Sequence, residues 1–170
     1  MADNFTTAFQ FTLGAEGGFT KDPTDKGNWT GGAVGAGELK GTKYGISAAS
    51  YPDLDIANLT LDQAMVIYKS NYWDKLQGDK LPLAVARVAF DTAVNSGVGE
   101  TAILLQRIVG TYVDGDIGDK SVAAINKADP VPLAQELLVQ RVLLDSQASQ
   151  WQIDKVGWVR RAIALACMIT

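Results

Sequence analysis

Apolar residues recur at helical spacing over most of this chain and lose that period in one early stretch. Phe5, Ala8, Phe9 and Leu13 share a helix face, with Asp3 or Asn4 available as the cap. The two glycines at Gly17-Gly18 are expected to end that helix, which places Glu16 in its last turn. From Phe19 to Ser47 the period disappears. Gly27, Gly31, Gly32, Gly35, Gly37, Gly41 and Gly45 leave room only for turns and short strands, so a small irregular β-hairpin lobe is expected there.

Helical signals then resume. Thr60-x-x-Gln63 reads as a capping box opening a helix through Ala64, Ile67, Tyr68 and Tyr72. Pro82 suits the first turn of a helix carrying Val85, Val88, Ala89 and Val94 and ended by Gly97. Another helix through Ala102, Leu105 and Ile108 stops at Gly110, and Asp114 to Gly118 form a turn before a short helix with Val122 and Ile125. Pro130 and Pro132 begin a long helix through Leu133, Leu137 and Leu144. A last helix carries Trp158, Val159, Ala162 and Ile163.

Composition narrows the chemistry. The chain has 170 residues, enough for one domain with a real core, and no apolar run long enough to span a membrane. Its N-terminus lacks the basic and apolar regions of a signal peptide. A net charge of −4, with no basic cluster beyond Arg160-Arg161, argues against nucleic acid as a partner. Histidine is absent, which removes Ser-His and Cys-His nucleophile pairs and histidine-ligated zinc. Hydrolysis at neutral pH then falls to carboxylates, lysine or tyrosine. The lone Cys167 lies in an apolar run and reads as a buried structural thiol.

Several motifs weaken on inspection. Gly32-x-x-Gly35-x-Gly37 lacks the strand and spacing of a dinucleotide fingerprint, and Gly41-Thr42-Lys43 is no P-loop ending. Asp114-x-Asp116-x-Gly118 hints at a calcium loop, but the twelfth position is Ile125. A helix-initiating turn is the better reading. Trp29 and Tyr44, in the glycine-rich lobe, suit sugar stacking and simple packing equally.

Glu16 carries the sharper reading. A helix C-terminus disfavours a further anion and raises the pKa of a carboxyl there. Asp22 and Asp25 lie six and nine positions later, in a loop expected to be flexible. The layout is that of one carboxyl at the lip of a cleft facing an acidic partner. Spacing alone leaves a solvated surface glutamate equally open.

The blocks Glu16-Gly17-Gly18-Phe19, Asp22-Pro23-x-Asp25-x-Gly27 and Thr42-Lys43-Tyr44-Gly45-Ile46-Ser47 together resemble the signature of glycoside hydrolase family 108. Those enzymes are N-acetylmuramidases of the lysozyme superfamily, found as phage endolysins and secretion-associated muramidases. The segments Ala64 to Trp73, Phe90 to Gly97 and Asp114 to Gly118 resemble the family as well. The departure is a glycine-rich excursion between Gly27 and Thr42, where family members often pass in a few residues.

The resemblance implies a mainly α (α+β) fold: a single lysozyme-like helical domain over 1–170 with a small β-hairpin lobe over the active-site groove. About 1–80 would form the catalytic region, and about 81–170 a helical peptidoglycan-binding-like region. It implies cleavage of the β-1,4 bond between N-acetylmuramic acid and N-acetylglucosamine, with Glu16 as general acid. Asp25 would stabilise the cationic transition state or activate water, Thr42 would position that water, and Tyr44, Asn95 and Asp22 would meet the glycan strand. No metal or organic cofactor is called for. The expected partner is bacterial peptidoglycan, with no nucleic acid, no stable membrane insertion, and a monomer. The expected setting is phage lysis, with synthesis in the host cytoplasm and release to the wall through a holin. Open alternatives are a lytic transglycosylase, a secretion-associated muramidase, or a non-catalytic wall-binding module.

Overall fold

Helix α1, Asn4–Leu13, opens the computed structural model, which describes residues 3–14 and 18–169. Asp3 caps it, its carboxylate accepting from the Thr6 amide at 2.6 Å. Phe5, Ala8, Phe9 and Leu13 are all buried, as their spacing requires. The helix ends at Leu13, with Gly14 in a turn, ahead of the expected stop at Gly17-Gly18; Glu16 and Gly17 lie outside the described residues.

The chain divides into two compact units, Phe9–Lys69 and Met1–Ala8 with Ser70–Thr170. Among the described residues there are seven α-helices and a single two-stranded sheet. No helix among them is long and apolar enough to cross a membrane.

In the Phe9–Lys69 unit, β1 (Thr42–Lys43) pairs antiparallel with β2 (Ile46–Ser47), Thr42 opposite Ser47. Tyr44 and Gly45 make the turn with φ of 51° and 71°, the left-handed pair that matches strand twist in a two-residue hairpin. Gly45 adopts this freely; Tyr44 does so at a cost in backbone strain. Behind the hairpin, α2 (Leu61–Tyr68) starts at the expected capping box, with Thr60 and Gln63 exchanging hydrogen bonds. Tyr68 packs edge-on against Phe9 and donates its hydroxyl to the Tyr44 carbonyl at 3.0 Å, which ties the strained turn to the core. A π-helical turn, Lys69–Trp73, continues from α2.

The larger unit is built around α3, Leu83–Ser96, which is buried along nearly its whole length. α4 (Val98–Val109), α5 (Asp119–Lys127), α6 (Pro130–Ser146) and α7 (Trp151–Ala166) complete it. Gly97 and Gly110 end α3 and α4 at φ of 94° and 70°. Phe5, Trp73 and Phe90 meet edge-to-face with centroids 5.6–5.8 Å apart. The Trp73 indole donates to Asp79, and its ring lies so close over Gly78 that a Cβ there would come within 2.5 Å.

One buried ionic cluster joins three helices. Asp91 of α3, fully buried, accepts from Arg141 of α6 at 2.5 Å and from Arg161 of α7 at 2.6 Å. This pairing sets the rotation of α7. Arg161, Ala162 and Leu165 turn inward, while Val159 and Ile163 of the same apolar spacing stay exposed. Cys167 is exposed as well, contrary to the expected buried thiol, because it lies on the far side of that helix end.

Candidate functional site

The acidic loop is folded around a buried asparagine. Asn28 is 0% exposed and donates its side-chain amide to the Asp22 carbonyl at 3.0 Å. Trp29 closes the same loop from outside, its indole N–H donating to the Pro23 carbonyl at 2.9 Å. The expected flexible loop is therefore a stapled one. Trp29 is committed to that staple.

Both aspartates stand exposed on it. The Asp22 carboxylate accepts from the amide and the hydroxyl of Thr24, each at 2.8 Å. Those bonds hold its pKa below the ordinary carboxylate value, the backbone amide contributing most. Asp25 caps the 3₁₀ turn Lys26–Asn28, its Oδ1 accepting from the Gly27 amide at 2.8 Å. Gly27 has a local reason to be glycine: a Cβ there would crowd that same oxygen at 3.3 Å.

The glycine-rich excursion leaves this loop and returns to it. Trp29 bridges Leu39, Thr30 donates to the Glu38 carbonyl at 2.9 Å, and the amides of Lys40 and Gly41 both converge on the Asn28 carbonyl at 3.0 Å. Its two ends are thus pinned at one residue, so its length does not displace Thr42. That threonine pairs with Thr20, exchanging two backbone bonds of 2.9 Å. Thr42 sits in register between the start of the acidic loop and β2, its bridge partner lying two residues before Asp22. Gly41 allows this approach, since a Cβ would fall 2.4 Å from the Thr20 carbonyl at a φ of 91°.

Tyr44, half-buried at the hairpin tip, has the Lys43 ammonium 5.5 Å from its ring centroid. The structure thus gathers Asp22, Asp25, Thr42 and Tyr44 on one small scaffold. Asn95 lies in the other unit, exposed at the end of α3, where its amide donates to the Asp91 carbonyl at 2.7 Å. Glu16 lies outside the described residues.

The sequence reading missed the Asp91–Arg141–Arg161 cluster. Its one signal is an aspartate set between Phe90 and Ala93 on the apolar stripe of α3, where a carboxylate calls for a buried partner. The Asp114 loop is organised from within by buried Gln106. The Gln106 amide group donates to the Asp114 carboxylate at 2.7 Å and the Asp116 carbonyl at 2.8 Å, while its oxygen accepts from the amides of Asp114 and Gly115. It leads into α5, as a helix-initiating turn should. Among the described residues no group of three His, Cys, Asp or Glu side chains could hold a metal ion.

The family model described as Glycosyl hydrolase 108 matches residues 9–97, which include the whole acidic loop, the hairpin and α3. The solved structure of Brucella abortus SagA is similar at 28% identity and a TM-score of 0.80, covering 97% of this chain and 92% of that one. No curated protein sequence matches significantly.

Proposed function

Because the chain belongs to glycosyl hydrolase family 108, whose model spans more than half of it, we propose that it cleaves the β-1,4 bond between N-acetylmuramic acid and N-acetylglucosamine. It is a glycoside hydrolase of the peptidoglycan-degrading class with a lysozyme-like helical fold. Glu16, protonated, donates to the leaving glycosidic oxygen. Asp25 stabilises the oxocarbenium-like transition state or activates the attacking water, and Thr42 positions that water.

The observation that supports this division of roles is the closure of the glycine-rich excursion on Asn28, which brings Thr42 back beside Thr20 at the root of the acidic loop. An exposed Asp25, fixed by one backbone amide, and a strand-held Thr42 suit groups that must keep position without being buried. Asp22 is bound twice by its own turn, which suits a loop-shaping or glycan-contacting residue better than a second catalytic carboxylate.

The test is mass spectrometry of digested sacculi together with end-group assays. Hydrolysis gives new reducing ends and no new amino groups. Anhydro-muramic ends would transfer the assignment to a lytic transglycosylase, and new amino groups to an amidase or peptidase. Binding without cleavage would leave only a wall-binding module.

The biological setting proposed is phage lysis, with the enzyme made in the host cytoplasm and released to the wall through a holin. Cytoplasmic expression with and without a pore-forming holin checks it: lysis is expected only with both. Muramidase activity that instead promotes assembly of a secretion apparatus would favour the secretion-associated reading.

A further inference from the structure

Helix α6 is apolar on two sides. Leu133, Leu137 and Leu138 belong to its buried stripe, packed toward α3 and α4. Val139 and Leu143 lie outside that stripe and are 51% and 50% exposed. A helix that is hydrophobic all round is ordinarily covered all round. In α7 the imbalance is greater. Only Ala162 and Leu165 of its 16 residues are buried, whereas Ile153, Val156, Val159 and Ile163 are exposed. Six of the twelve large hydrophobic side chains exposed among the described residues therefore lie on these two helices. Scattered singly such side chains call for no explanation; gathered on adjacent helices they mark a surface that something covers.

Four of the six border one groove of about 380 Å³ between α6 and α7. Leu138 and Ala162, both buried, lie beneath it, and Gln135 is its one polar residue. No charged side chain lines it, so the net charge of −4 is not carried into the groove. The charges stand at its two rims and differ in sign. On α6 the exposed Glu136 follows Gln135, its carboxylate accepting from the Gln140 amide at 2.7 Å. On α7 Lys155 and Arg160 are exposed on either side of Val156 and Val159.

We propose that this face docks a second copy of the chain, with α6 and α7 of each protomer packed on α7 and α6 of the other in a two-fold, four-helix contact. This departs from the monomer that the family resemblance implies, and it stands apart from whichever bond the chain cleaves. Because a short turn joins α6 to α7, the two run antiparallel, and Glu136 and Arg160 come at about the same level along the pair. A two-fold axis along the groove then sets the Glu136 rim of one copy against the Arg160 rim of the other, twice over. That is the self-complementarity an isologous interface requires. Two helices side by side, each about 10 Å wide and about 24 Å long, present roughly 480 Å² in plan. With their ridges followed, the accessible area approaches the roughly 800 Å² per partner of a standard interface. A membrane suits the face less well. An interfacial helix needs a basic polar face, but Arg161 is spent on Asp91, and an anionic leaflet repels a chain of net charge −4.

Sedimentation velocity on the full chain, from about 1 µM to about 500 µM, is the test. The mass should rise from 18.1 kDa to twice that value, with a dissociation constant of roughly micromolar order. Ile163→Asp places a carboxylate on a position exposed in the single chain, so circular dichroism should be unchanged. It should weaken the dimer at least about a hundredfold, since symmetry buries the new charge twice. Leu143→Asp gives the same test from α6 should the first variant not fold. Glu136→Arg and Arg160→Glu should each weaken the dimer, and the two together should restore it. A species of 18.1 kDa at the highest concentration would overturn the proposal. So would a dimer indifferent to both aspartate variants, single charge reversals without effect, or growth into open-ended aggregates. A monomer that floats with phosphatidylglycerol vesicles, and stops doing so as Ile163→Asp, would give the face to a membrane instead.

Discussion

Glu16→Gln keeps the shape of the side chain and removes the proton that the proposed mechanism delivers to the leaving oxygen. Positioned general acid catalysis contributes about 10²–10⁴-fold, so a loss of at least about a hundredfold in sacculus-clearing rate is expected, with sacculus binding and thermal midpoint little changed. A variant clearing cells near the wild-type rate would take Glu16 out of the mechanism. Asp25→Ala should lose far more activity than Asp22→Ala, both remaining folded by circular dichroism; the reverse order would move the second carboxylate role to Asp22. Asp114 gives an acid-stability prediction. Its pKa lies below the ordinary 3.8 because Gln106, first, and the Asp116 amide donate to its carboxylate. A depressed folded pKa means the unfolded chain binds the proton first as pH falls. The stabilisation is therefore complete above the ordinary value and is lost as pH drops below it toward the folded one. Asp114→Asn should be less stable than the wild type at pH 7, and that gap should narrow in denaturation curves below about pH 4. A gap that widens on acidification would contradict the assignment.

At the scale of elements, the features legible in the sequence came from local chemistry. The Thr60–Gln63 box, the stops at Gly97 and Gly110, and the proline-led start of α6 all appear where backbone conformation alone demands them. The features that escaped were set by contacts distant in sequence. The phase of α7 is the clearest case. An apolar count selects Trp158, Val159, Ala162 and Ile163, whereas Arg161 turns inward to reach Asp91 seventy positions away. Likewise Gly27 to Thr42 reads as a loose excursion until its bonds to Asn28 are known. Glu16 is the reverse case: it is the residue on which the sequence speaks most directly and it lies outside the described residues. The ionic cluster yields its own prediction. Asp91→Asn preserves shape but leaves two guanidinium groups facing a neutral amide. Breaking a buried ion pair from one side costs about 3–5 kcal/mol. The urea midpoint should fall accordingly with the slope unchanged. A shift within about 0.5 kcal/mol, the usual range for surface substitutions, would show that the cluster is not a structural anchor.

The whole molecule is acidic, with a net charge of −4 and a pI of about 4.7, and the proposed substrate, peptidoglycan, carries carboxylates of its own. Like charges slow encounter, and salt relieves the repulsion by shortening its range, from about 30 Å at 0.01 M to about 8 Å at 0.15 M ionic strength. A strongly basic wall hydrolase draws part of its affinity from opposite charge and should lose rate over the same interval. This chain should do the opposite, its rate on purified sacculi rising by at least about twofold as the Debye length contracts over that range. Binding of the uncharged N-acetylglucosamine oligomer triacetylchitotriose, measured alongside as a neutral control, should stay flat, because a neutral ligand carries no net charge for salt to screen. If the rate on sacculi falls with added salt while chitotriose binding does not, attraction between the protein and the wall dominates despite the net charge. Encounter would then be controlled by a local basic surface, and the argument from total charge would fail.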